Sequence, residues 1–173
     1  MVLGMSLKTY TLIHVLISLV GIASGLVVMY GLLKNKRLDR WTGLFLTTTV
    51  LTSVTGFGFP FDHLLPSHKV AILSLVALAI AIVARYPLHL AGAWRKTYVI
   101  SACLALYFNC FVFVVQLFEK VPALKAVAPT QKEAPFAVAQ LALLALFVVL
   151  TIFAAKRFRD QPTLIARRAD RAA

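Results

Sequence analysis

With 173 residues, of which 61% are hydrophobic and only 14% charged, the chain is too apolar for an ordinary soluble domain and has the composition of a bilayer protein. Its 18 Lys and Arg against 6 Asp and Glu give a net charge of +12, but the cations flank apolar stretches, which points to orientation and anionic-lipid contact and away from nucleic acid. No connector is long enough to fold as a separate catalytic or binding module, so a single membrane domain over residues 1–173 is expected, without enzymatic activity.

A hydrocarbon core about 30 Å thick needs roughly 20 apolar residues at 1.5 Å each. In chain order the candidate spans are residues 10–33, 42–59, 70–86, 98–118 and 136–155. The first, fourth and fifth meet that length unaided. The second carries six threonines and the third is short, so each taken alone reads equally as a buried or re-entrant segment. The charges decide. If all five cross, one side holds Lys34, Lys36, Arg37, Arg40, Arg85, Arg95, Lys96, Lys156, Arg157, Arg159, Arg167, Arg168 and Arg171, which is 13 of the 18 Lys and Arg. The other side holds Lys8, Lys69, Lys120, Lys125 and Lys132. Cytoplasmic loops retain the cations, so the expectation is an all-α membrane protein of five transmembrane helices with its N-terminus outside and its C-terminus cytoplasmic. Residues 156–173 form a basic tail that either lies on the cytoplasmic leaflet or is solvated. Trp41, Tyr86, Trp94 and Tyr98 fall at the basic ends of spans, where interfacial aromatic anchors belong.

The first span is too long for a signal-peptide core and is followed by the denser positive cluster, so it is expected to stay uncleaved as an N-out anchor. His14, Ser18, Gly21 and Gly25 share a stripe roughly 60° wide on it. Gly21 and Gly25 make a small-x-x-x-small step, which is a helix-packing seam or, on the sharper reading, clearance for a flat cofactor lying against His14. On the second span Thr48, Thr52 and Thr55 share one face, with Thr49, Ser53 and Gly56 adjoining. Threonine hydroxyls bond back to carbonyls one turn earlier, but a face this polar should point into the bundle. Gly58 and Pro60 end that helix.

On the third span Ser74, Ala77 and Ala81 mark a packing face, and His68 projects from nearly the opposite side. Following Ser67 as N-cap, it is expected at the membrane surface with a wet tip. The fourth span sets Ala102, Ala105, Asn109 and Gln116 on one stripe, with Asn109 roughly 13 Å from the outer end. A carboxamide near mid-membrane needs a partner on a neighbouring helix, or else lines a pathway. Cys103 and Cys110 lie roughly 10 Å apart along this helix, beyond the reach of a disulfide. In the outer connector Val121, Leu124 and Val127 recur at helical spacing between Pro122 and Pro129, predicting a short helix on the membrane surface. Thr130 and Glu133 have the spacing of a capping box for the last span.

His14, His63 and His68 share the outer side with Asp62, the one constellation of residues able to ligate haem b or a divalent metal. Neither is favoured: His68 faces away from the packing surface, and the Asp62-His63 and His68 spacing is loose. The intramembrane polar residues Asn109, Gln116, Thr52 and Thr55 could instead form, with His14, a polar cavity open to the outside that suits a small solute or a quinone. No acidic or basic residue is expected deep in a span, which argues against ion pumping.

The run H-V-L-I-S-L-V-G-I-A-S-G-L-V-V-M-Y-G-L-L from His14, followed by R-W-T-G-L-F and T-G-F-G-F-P, resembles small uncharacterised integral membrane proteins of bacteria. The segments S-V-T-G-F-G-F-P, L-A-G-A-W-R and A-P-T-Q-K-E carry the same likeness, which implies a bacterial inner-membrane protein. The early histidine in the first helix is also similar to cytochrome-b-type helical hairpins, but the partner histidines of that family are missing, so no activity comes with it. The leading expectation is a non-enzymatic accessory or structural subunit that packs against other membrane subunits or lipid. A haem- or metal-binding redox subunit and a small-solute or quinone-binding protein are the alternatives.

Overall fold

The computed structural model describes residues 4–59 and 66–159. Among them the protein is helical, with no strand element: α1 (Leu7–Leu33), α2 (Asp39–Gly56), α3 (Pro66–Arg85), α4 (Trp94–Lys120), α5 (Pro122–Val127) and α6 (Ala134–Arg157). Four of these, α1, α3, α4 and α6, are long and apolar enough to cross a membrane. The remaining long helix, α2, is diluted by its threonines and opens on Asp39 and Arg40. The short helix expected between the two prolines is α5, with no buried residue.

Helix ends follow local chemistry. The Ser6 hydroxyl caps α1 by accepting from the Thr9 N–H at 3.2 Å. Asn35, with φ 54°, turns the chain out of α1 in the left-handed conformation while the Lys36 N–H closes onto the Gly31 carbonyl at 2.8 Å. One expectation is corrected here. Glu133 is itself the N-cap of α6, with Pro135 in the first turn, so Thr130 precedes the helix and the pair is not a capping box. The Glu133 carboxylate instead accepts from the Thr130 hydroxyl (2.8 Å) and N–H (3.2 Å), which ties the loop and not the helix end.

The long helices run up and down. The Tyr10 hydroxyl donates to the Thr55 carbonyl at 2.7 Å, while Gly25, about two-thirds of the way along α1, faces Phe45 in the first half of α2. Next, Ser53 and Ser74 hydroxyls meet at 3.3 Å and Asp39 pairs with Arg85, so α3 is antiparallel to α2. Helix α4 is central, packed on α1, α2, α3 and α6. Aromatic pairs line its seam with α6: Tyr98 with Phe158, Tyr107 with Phe147, and Phe118 with Phe136. The buried residues of α6 are Gln140, Phe147 and Ala154, seven apart, which is one narrow stripe on an otherwise exposed helix. Finally the Arg159 N–H donates to Asn35 Oδ1 at 2.8 Å, joining the end of α6 to the α1–α2 turn.

Two further expectations are corrected by burial. Tyr98 is fully buried beneath Arg85 and Phe158, not placed outward as an anchor, whereas Trp41, Tyr86 and Trp94 are exposed. Arg85, a cation at the end of α3, has a side chain only 3% exposed. Its guanidinium is held by the Asp39 carboxylate and lies 5.1 Å from the Tyr98 ring.

Candidate functional site: a polar cavity among four helices

Glycine makes the site possible. At Gly21 an added Cβ would stand 3.1 Å from Asn109 Nδ2, 3.2 Å from Thr49 Oγ1 and 3.3 Å from Thr48 Oγ1, so the bare backbone gives these three polar groups their close approach to α1. One turn deeper, a Cβ at Gly25 would meet Leu106 Cδ1 at 2.5 Å and Phe45 at 2.9 Å. That close approach packs α1 against α2 and α4 on the side of the basic end of the bundle.

Above it lies a cavity of about 90 Å³. Its walls are His14 and Ser18 of α1, Thr49, Thr52, Ser53 and Gly56 of α2, Ser67, Val70, Ala71 and Ser74 of α3, and Phe108, Asn109 and Val112 of α4. Three walls carry polar atoms, buried from solvent, that no protein group satisfies: Thr49 Oγ1, Thr52 Oγ1 and Asn109 Nδ2. The Ser18 hydroxyl donates to Asn109 Oδ1 at 3.0 Å, and whichever way the amide is turned Ser18 pairs with one end only. By contrast, Thr48 and Ser53 bond back to carbonyls of their own helix.

His14 is oriented by α2. Thr55 Oγ1 donates to the Leu51 carbonyl at 2.6 Å, so in its 2.8 Å bond with His14 Nδ1 it is the acceptor. A neutral His14 therefore carries its proton on Nδ1 and keeps the Nε2 lone pair as an acceptor. The ring is packed edge-on against Phe59 at 5.2 Å. The cavity thus offers a histidine acceptor, an amide and two hydroxyls, and among the described residues its only ionisable lining group is His14.

Of the sequence-predicted residues, the structure brings His14, Thr52 and Asn109 together, with Gly21 beside them. Thr55 holds His14 without lining the cavity. Gln116 does not join: it is exposed and bonds along its own helix to Glu119 at 3.4 Å. His68 is buried, not wet, because Phe57 at the end of α2 stacks on it, ring centroids 5.3 Å apart. Ser67 is within α3 and lines the cavity, so it is not the cap expected of it. Asp62 and His63 lie outside the described residues. Among the described residues no three His, Cys, Asp or Glu side chains are grouped to hold a metal ion. The cavity's volume, about 90 Å³, is below the about 300–1,000 Å³ of pockets for ligands of drug size. Thr49 was legible only as a member of the face adjoining the threonine stripe.

Compared with protein-family models, curated proteins and solved structures, the chain matches none of the three.

Proposed function

We propose that this chain is a five-crossing integral membrane protein of the bacterial inner membrane, N-terminus outside and C-terminus cytoplasmic, that binds a small uncharged hydrogen-bonding molecule between α1, α2, α3 and α4. The carrying observation is that Thr49, Thr52 and Asn109, each with a buried polar atom that no protein group satisfies, all line one cavity beside His14. Buried polar groups left unpaired are costly, so a cavity lined by three of them is built for an occupant that pairs with them. Its size, about 90 Å³, matches the share of roughly three water molecules or one small solute. We take the ligand as uncharged because, among the described residues, no fixed charge lines the site to offset desolvation. The close packing of Gly25 on Leu106 and Phe45 supports a binding site reached from the outer end over a continuous pore.

Support for five crossings comes from α2, which lies alongside α1 and α3 with both of its ends level with theirs. The accessory-subunit reading draws on no observation of its own, because lipid covers an apolar helix face as well as a partner does.

The test is thermal unfolding of Thr49→Val and Thr52→Val in mild detergent, with urea, formamide and glycerol as added probes. An occupied site predicts a loss of about 1 kcal/mol per variant and a stabilisation of the wild type by at least one probe that the variants lack. Valine raising stability, with no probe acting, would overturn the proposal, since replacing an unsatisfied hydroxyl by a methyl of the same shape relieves a penalty.

A further inference from the structure

We infer that the protein carries a specific site for an anionic phospholipid at the basic end of α4 and α6, with the phosphate held by Arg95, Lys96, Lys156 and Arg159 and an acyl chain in the groove between the two helices. This goes beyond the polar cavity and rests only on the membrane reading.

The four cations come from the first turn of α4 and the end of α6, and with Ile152 and Ala155 they line a recess of about 850 Å³. Among the described residues no carboxylate lines it and none of the four forms an ion pair. This differs from Arg85, whose charge is already answered by Asp39. Arg95, which lines the recess, has its Nε buried without a protein acceptor, so its guanidinium is incompletely satisfied by the protein. The start of α4 has no side-chain cap, so its free N–H groups add to the same field.

What makes the ligand a lipid is the continuity of this recess with an apolar groove. Ile152 and Ala155 belong to both. From them the groove, about 370 Å³, climbs between Leu104 and Tyr107 of α4 and Leu144 and Val148 of α6, with no charged residue along it. A free phosphate would use the cations and leave the groove; a neutral lipid would use the groove and leave Arg95 unanswered. An anionic phospholipid uses both, and basic recesses between helices at a membrane surface recognise such headgroups.

The test is native mass spectrometry of the full chain released from nanodiscs of equal parts phosphatidylglycerol and phosphatidylcholine. A phosphatidylglycerol adduct about tenfold preferred is expected, falling to parity when Arg95, Lys96, Lys156 and Arg159 are replaced by Gln. Removing Lys34, Lys36 and Arg37 in the same way should leave the preference intact. Ala155→Phe, which blocks the groove but keeps all four charges, should lose the adduct while inorganic phosphate at millimolar concentration fails to displace lipid from the wild type. Equal loss in the Lys34, Lys36 and Arg37 variant would reduce the effect to general charge and overturn the site. Displacement by inorganic phosphate, or an adduct seen only after deletion of residues 160–173, would likewise replace the lipid by an anion or by the chain's own tail. Failure of the membrane reading is distinguishable: the protein would then stay in solution without detergent.

Discussion

Arg85 is 3% exposed and its partner Asp39 is 69% exposed, so the pair is a buried cation answered by a carboxylate at the water's edge. Removing the carboxylate's charge leaves the guanidinium, among the described residues, against the Tyr98 and Tyr86 rings 5.1 and 5.9 Å away. Asp39→Asn is therefore expected to cost on the order of 2 kcal/mol in an unfolding measurement, less than a fully enclosed pair because Asp39 is solvated. Arg37→Gln, which removes an exposed contact 3.7 Å from the same carboxylate, should cost well under about 1 kcal/mol. Equal effects would mean that burial of Arg85 is not what gives the pair its weight. At this scale polar residues in apolar helices were legible: His14, Thr52 and Asn109 stand out because each needs a partner in a span. Arg85 was not, since a cation at a span end reads as an orientation signal. The available clue was Asp39, the one acidic residue between two spans on the basic side. His68 was misread because helix-face reasoning considers helices, and the residue that covers it, Phe57, lies just past the end of α2.

Helix α6 shows how an element is placed by few interactions. It buries three residues against a bundle in which it packs on α4 and α1, and Glu133 is its N-cap. Desolvation opposes ionisation of that carboxyl, but the hydrogen bonds it accepts, first from the Thr130 hydroxyl and then from backbone N–H groups, outweigh it and hold the group below its ordinary 4.5. The folded value is depressed, so the stabilisation is fully present above pH of about 4.5 and is lost as pH falls through the folded value. Hydrogen-exchange protection of residues 130–137, corrected for intrinsic rates, should fall on that acid limb in the wild type and be low and flat across it in Glu133→Gln. A wild type that keeps its protection at pH of about 3 would show that Pro135 and the α4 contacts position the helix without the carboxylate. Lengths and spacings of the apolar helices were readable because bilayer thickness imposes them. The start of α6 was displaced by three residues because Thr130 and Glu133 have the same spacing in a loop tie as in a capping box.

For the whole molecule, the decisive quantity is the number of crossings. Two contacts point the same way: the α1–α2 turn meets the end of α3 through Asp39 with Arg85, and the end of α6 through Asn35 with Arg159. If α1, α3, α4 and α6 cross, α2 must cover the same distance, and its 18 residues reach about 27 Å. Threonines do not forbid this, because Thr48 and Thr55 spend their hydroxyls on carbonyls of their own helix, while Thr49 and Thr52 face the cavity and not lipid. Single cysteines test the arrangement, and native Cys103 and Cys110 are buried and should stay silent to an impermeant maleimide. With five crossings, Lys125→Cys is labelled in intact cells, whereas Lys36→Cys and Ala91→Cys react only after permeabilisation. A re-entrant α2 would instead set Lys36 and Ala91 on opposite faces, so labelling of exactly one of that pair in intact cells would refute the topology. The same outcome would pull Asp39 away from Arg85 and open the cavity wall that α2 supplies, so crossing number, ion pair and binding site stand or fall together.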